Sequence, residues 1–379
     1  MGKRSNGEGS VRQRSNGTWE ARLSYIDPLT GRRRSASFYG PTAEAARAEL
    51  ADARGRIRMQ APVIDSTMSL ADWIERWSVT ALEASDRKPA TRQRYRDIAR
   101  KHLAPPPLGD LPLAKLRKSH VDGLIVALRR EGLADETVRL TYTVLRAVLA
   151  DAVLDGLIAD NAAARTGRPR VARREARYLP SGDVAKILDA AASERYAPVL
   201  ILIAATGLRR GEALALRWDA VDLASGTLKV IATANIVDGR LEISEPKSGR
   251  SRRTVPLSPA TVALLKAQRV AQAQERLRAG ELWTDTGLVF TGEFGAPVNP
   301  RAVLRAVQRC ADRVGIADAT VHTLRHSAAV AWLEAGVHIK AVADLLGHSS
   351  IAITGDIYGH ASEAATRSAV DGLSDALGL

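Results

Sequence analysis

Across residues 1–62 apolar side chains first recur at every second position and then at a helical period. Trp19, Ala21, Leu23 and Tyr25 fall on one face of a strand, and Asn16-Gly17 ahead of them is a hairpin signal. A second turn, Asp27-Pro28-Leu29-Thr30-Gly31, leads through Arg32, Arg33 and Arg34 to Phe38. Behind a Thr42 cap, Ala46, Leu50, Ala53 and Ile57 are spaced as on one side of a helix. The pattern predicts a three-stranded sheet with one helix.

From residue 66 to 164 the pattern is wholly helical. Leu70, Trp73, Ile74 and Trp77 share one face, and further helices are expected around 90–103, 118–131 and 134–155, with Pro105-Pro106-Pro107 as a break. Residues 165–177 read RTGRPRVARREAR, six arginines and one glutamate with almost nothing apolar to bury, which predicts a cationic linker. Residues 178–379 carry helices near 181–192, 196–206 and 210–218, strands near 227–232, 241–246 and 252–257, and then mostly helix. The expected fold is multidomain and mostly α with small β-sheets: sheet plus helix, helical bundle, and an α+β domain.

Charge sharpens this picture. The formal net charge is +13, with 55 Lys and Arg against 42 Asp and Glu, so the chain favours a polyanion. Excess charge also keeps proteins soluble, so its placement matters. Arg32, Arg33 and Arg34 sit where a solvated edge strand or a groove-reading sheet would place them. Arg168, Arg170, Arg173 and Arg174 crowd the linker, where a neutral tether needs no charge, and this favours a segment laid along phosphates. The single cysteine, Cys310, has no partner for a disulfide or thiolate cluster, as expected of a reducing cytoplasm. The polar start and the lack of a long apolar run predict a chain neither exported nor embedded in a membrane.

Candidate chemistry concentrates late in the chain, where five of the seven histidines lie between His322 and His360. His322-Thr323-Leu324-Arg325-His326 opens a helix, with His322, Arg325, His326 and Ala329 on one face and Leu324, Ala328, Ala331 and Ala335 on the other. A zinc-protease reading fails because Thr323 stands where the general base should be. Leu345-Leu346-Gly347-His348 ends the next helix, and Tyr358 follows ten residues after His348. Upstream, Thr206-Gly207-Leu208-Arg209-Arg210-Gly211-Glu212 closes one helix and starts another. No P-loop glycine pattern and no acidic cluster for paired magnesium ions occurs in the sequence, so no metal or cofactor is expected.

Taken in order, TGLRRGE, PKSGRSRR, HTLRH, LLGH and Tyr358 with His360 resemble the tyrosine site-specific recombinases, specifically the phage and integrative-element integrases. The resemblance implies catalytic roles for Arg209, Lys247, His322, Arg325, His348 and Tyr358, with Glu212 as a supporting carboxylate. It also implies an arm-type DNA-binding domain over 1–62, a helical core-binding (SAM-like) domain over 66–164, the basic linker 165–177, and a catalytic domain over 178–379. Expected partners are double-stranded DNA carrying attachment sites, a homotetramer on synapsed DNA, and a directionality factor (excisionase). The expected place is the cytoplasm, at the nucleoid. The resemblance further implies that the C-terminal segment, with Val370, Leu373 and Leu377 at helical spacing, docks on a neighbouring subunit. Ala162 replaces a common proline and Ser248 a common threonine, and neither touches the chemistry.

The residue types suit a transesterification. Tyr358 would store the phosphodiester bond energy as a phosphotyrosine. Arg209 and Arg325, cationic at any working pH, would bind the non-bridging oxygens as they gain charge. His348 would donate to the same oxygens and His322 accept the tyrosine proton, assignments that could be exchanged. Lys247 would protonate the leaving 5′ oxygen. Two rivals are a non-catalytic DNA-binding protein, which has no need of Tyr358 or Lys247, and a type IB topoisomerase, which the layout before Tyr178 disfavours.

Overall fold

The computed structural model describes residues 9–26, 33–58, 68–172, 177–237, 239–245 and 252–348, with 350, 351, 354, 355, 371, 374, 377 and 378. They form two units, 1–173 and 174–379, divided inside the arginine-rich segment.

The first unit holds two separate hydrophobic cores. β1 (Ser10–Gln13), β2 (Trp19–Ile26) and β3 (Arg33–Gly40) form an antiparallel sheet in the order β1-β2-β3. Ala21 and Leu23 are buried by the inward face of β2, and α1 (Ala43–Arg58) lays Ala46, Leu50 and Ala53 over them. The Thr42 hydroxyl accepts from the Ala45 amide and starts α1 as its sequence predicts. On the opposite face Glu20 is buried against the Arg12 guanidinium, 2.7 Å away.

The second core belongs to a helical bundle: α2 (Leu70–Val79), α3 (Ala81–Ala84), α4 (Pro89–Ile98), α5 (Lys118–Arg130) and α6 (Asp135–Leu154). Ser69 caps α2 by accepting from the Asp72 amide. The helix expected over 90–103 is regular only to Ile98 and finishes as a π-helical turn, Ala99–Leu103. Trp73 and Trp77 fill the centre, and each indole N–H reaches α6: Trp73 to the Val148 carbonyl at 2.9 Å, Trp77 to Asp151 Oδ2 at 2.6 Å. The bundle runs past 164, because the buried Tyr142 hydroxyl donates to the carbonyls of Ala163 and Thr166.

The second unit begins with α7 (Ser181–Ala190), α8 (Ala197–Thr206) and α9 (Arg210–Leu214). α8 is apolar nearly all round and therefore sits in the core. The helix expected over 210–218 stops at Leu214. Beyond it the chain turns to pair with the 287–289 stretch instead, Val289 N–H donating to the Leu216 carbonyl and Trp218 N–H to the Gly287 carbonyl.

β4 (Val221–Asp222), β5 (Thr227–Val230) and β8 (Arg253–Pro256) form one antiparallel sheet in the order β4-β5-β8; β6 (Thr233–Val237) and β7 (Arg240–Ser244) form a separate hairpin. The strand expected over 227–232 is β5, which ends at Val230, and β6 is a further strand that the sequence pattern did not predict. α10 (Pro259–Ala279), α11 (Pro300–Arg313), α12 (Val321–Glu334) and α13 (Ile339–Leu346) complete the unit. Lone Cys310 is buried in its core on α11. No helix among the described residues is long and apolar enough to cross a membrane.

Trp73 joins α2 to α6 by both packing and a hydrogen bond. Trp73→Ala is expected to cost about 3–5 kcal/mol, read as a lower urea midpoint for the transition of the first unit with that of the second unchanged.

Candidate active site

Two helices end close together in the second unit, each at a glycine in the left-handed region: Gly207 after α8 (φ 63°) and Gly347 after α13 (φ 64°). Both positions are closed to larger residues. A Cβ on Gly207 would lie 2.9 Å from Leu346 Cδ2, and one on Gly347 would lie 2.8 Å from an Arg253 guanidinium nitrogen.

The last carbonyls of a helix have no partner within it. At the end of α13 three successive ones accept from three arginines of separate segments: Leu345 from Arg253 Nε at 2.6 Å, Leu346 from Arg325 Nη2 at 2.8 Å, and Gly347 from Arg209 Nη2 at 3.2 Å. The negative end of the helix dipole favours these cations. Arg325 Nη1 also donates to the Gly207 carbonyl, so it ties both helix ends together.

Glu212 completes the arrangement from below. Buried on α9, it accepts from the Arg209 amide (2.9 Å) and Arg209 Nη1 (2.7 Å), and from Arg253 Nη1 (3.2 Å) and Nη2 (2.9 Å). Burial pushes its pKa up, but the Arg253 hydrogen bond and the charges of Arg253 and Arg209 outweigh it and hold the carboxyl below its ordinary 4.5. Arg325 is 3% exposed, whereas the Arg209 side chain is 36% exposed and reaches the surface of the cluster.

The histidines are held neutral. Burial, followed by the charges of Arg325 and Arg209, pushes His348 down to about 4. Burial, His322 and Arg325 push His326 to about 4. His322, on the exposed side of α12 with its ring centre 6.4 Å from that of His326, is lowered by desolvation and by Arg325, Arg210 and Arg209. The cluster thus gathers fixed positive charge and neutral imidazoles, the groups whose chemistry suits a phosphate.

The family model described as "Phage integrase family" matches residues 177–365, the stretch that carries this cluster. The chain belongs to the tyrosine site-specific recombinases. It is 28% identical over 358 residues to a tyrosine recombinase XerC-like protein of Caldanaerobacter subterraneus, covering 89% of this chain and 91% of that one. It is 25% identical to the integrase of Mycobacterium phage D29, with 92% of each chain covered. In fold it is similar to the Tn1549 transposon integrase in complex with a circular intermediate DNA, with TM-score 0.64, 17% identity, and coverage of 81% of this chain and 99% of that one. It is similar as well to a lambda integrase tetramer bound to a Holliday junction, with TM-score 0.59, 20% identity, and coverage of 96% and 99%.

Of the site residues expected from the recombinase's sequence, Arg209, Glu212, Arg325 and His348 meet in one hydrogen-bonded network, and His322 stands beside it. α12 differs from its two-faced reading: Arg325 and Ala329 are as buried as Leu324 and Ala328, while Ala335 caps the exposed end. Lys247 and Tyr358 lie outside the described residues, as do Arg32, Arg173, Arg174, the Arg34 side chain, His360, Val370 and Leu373. Arg33 is exposed at the start of β3, and Arg168 and Arg170 are exposed after the bundle.

Sequence reasoning missed Arg253, one of three arginines in the run Arg250-Ser251-Arg252-Arg253, because all carried equal weight. The signal lies in strand period: Val255 is buried two residues on, so Arg253 shares its inward face.

Glu212→Gln removes the charge between two guanidiniums, and we expect a loss of about 3–5 kcal/mol in the stability of the second unit by chemical denaturation. The pH dependence has two windows. His326 and His348 take up protons near 6.5 when unfolded but only near 4 when folded, so stability should fall as pH drops from 6.5 toward 4. The Glu212 contribution is fully present above 4.5 and is lost as pH falls through its depressed folded value. A melting temperature flat between pH 6.5 and 4 would contradict the histidine assignment.

Proposed function

We propose that this recombinase cleaves and rejoins DNA through a 3′-phosphotyrosine on Tyr358, and so integrates or excises a mobile element. The observation that supports this reading best is the convergence of Arg209, Arg325 and His348 on the C-terminal turn of α13, with Tyr358 following in sequence.

In this reading Arg209 and Arg325 bind the non-bridging oxygens, Glu212 keeps the arginines in place, and His348 contributes a further hydrogen bond to the phosphate. His322, neutral and on the exposed side of its helix, accepts the Tyr358 proton. Lys247, in sequence between β7 and β8, protonates the departing 5′ oxygen. No cofactor enters the scheme, because His322 and Lys247 carry the two proton transfers and bond exchange through Tyr358 conserves the phosphoryl energy.

The partner is double-stranded DNA with attachment sites. Residues 1–62 read arm sites, 66–164 clasp the core site, and the linker 165–177 lies along phosphates, with Arg33, Arg168 and Arg170 among the contacts. The relatives lend this support: one is a phage integrase, and one structural neighbour is a tetramer on a Holliday junction. The chain accordingly acts as a homotetramer on synapsed DNA at the nucleoid, with an excisionase selecting excision.

Mapping the ends of the resident element supplies the core site. On a nicked duplex carrying that site, Tyr358→Phe should abolish the denaturation-resistant protein–DNA adduct while leaving binding intact; an adduct of normal yield would refute the assignment. Arg168→Ala with Arg170→Ala should weaken binding to all duplexes, and each lost phosphate contact should flatten the slope of log K against log salt by about 0.9. A loss confined to one sequence would point to base readout instead.

A further inference from the structure

The turn that anchors the arginines also fixes the place of one proton. Arg325 Nη2 lies 3.1 Å from His348 Nε2. A guanidinium nitrogen donates and never accepts, so Nε2 must offer its lone pair. The proton of the neutral ring is then on Nδ1, which lies 2.8 Å from Thr354 Oγ1. Thr354 is fully buried at 0% exposure, so bulk water does not compete for that bond. The opposite tautomer would set Nε2–H against an Arg325 N–H, two donors facing each other.

We propose that Thr354 is a positioning residue that holds His348 in the Nδ1–H form, so that Nε2 keeps the place of a phosphate oxygen in front of Arg325 until DNA binds. This rests on reading Arg325 and His348 as phosphate ligands. When the phosphate oxygen receives the Arg325 Nη2–H, Nε2 is released and faces an anion. To bond with it, Nε2 takes one proton from solvent; Nδ1–H stays on Thr354, and the ring becomes an imidazolium that donates at both ends. Only the Nε2 partner changes, and the ring plane is retained. The low proton affinity of His348 without DNA, set by burial and by Arg325 and Arg209, agrees with a ring that charges only when the anion arrives.

The test uses the full chain labelled with ¹⁵N-histidine, without DNA, near neutral pH. The His348 signals, identified by their absence in His348→Ala, should show a protonated Nδ1 and a bare Nε2. Thr354→Val keeps the side-chain shape but removes the hydroxyl. It should lose that tautomer preference and slow adduct formation on the nicked duplex by about 10–100-fold, the range known for a metal-bound histidine that loses its orienting partner. Thr354→Ser should recover most of that loss. A bare Nδ1 with a protonated Nε2 in the unmodified protein overturns the proposal, and that spectrum decides the point even if the valine variant folds poorly. A folded valine variant at full rate overturns it too. If instead His348→Ala forms adduct at the normal rate, the phosphate-ligand reading fails, whatever tautomer the spectrum gives.

Discussion

Three guanidinium groups cannot share a small volume unless something accepts their hydrogen bonds and answers their charge, and the second unit is arranged around that requirement. Glu212 supplies the charge, and the carbonyls of Leu345, Leu346 and Gly347 supply the acceptors. An uncompensated buried charge costs several kcal/mol, so each cation here fixes the position of the element that receives it. Arg253 shows this most clearly. Its Nε, Nη1 and Nη2 bond to Leu345 and Glu212, and its side chain is 7% exposed, so it serves to hold the others.

The same arrangement sets the proton inventory. Packing histidines against fixed cations in a partly dry site keeps their rings neutral, and a neutral ring beside a guanidinium must turn a lone pair toward it. Backbone geometry enters at one further point. The two helices can end within reach of the arginines only because Gly207 and Gly347 turn through the left-handed region where Leu346, Trp332 and Arg253 leave no room for a Cβ.

Much of the fold was legible in the sequence. The Asn16-Gly17 turn, the alternation of β2, the Thr42 cap and the spacing of Trp73 and Trp77 each depend on neighbours within a few residues, and each is found as expected. The misreadings share a cause. α9 stops early because Leu216 and Trp218 bond to residues about seventy positions away, and the strand expected over 227–232 stops at Val230 because its pairing with β8 ends there. Local pattern carries no record of such pairings.

For the site, the sequence by itself determined the residue types and their order: Arg209, Glu212, His322, Arg325 and His348 are legible from motif and spacing, and the transesterification proposed for them allows few substitutes. Only the tertiary structure decided which of several arginines is buried, which carbonyl each one bonds, and which nitrogen of His348 bears the proton. Those facts depend on distances between segments as far apart as 138 residues along the chain, as between Arg209 and Gly347. Such separations are closed by packing, and packing depends on the whole core rather than on any local run of residues.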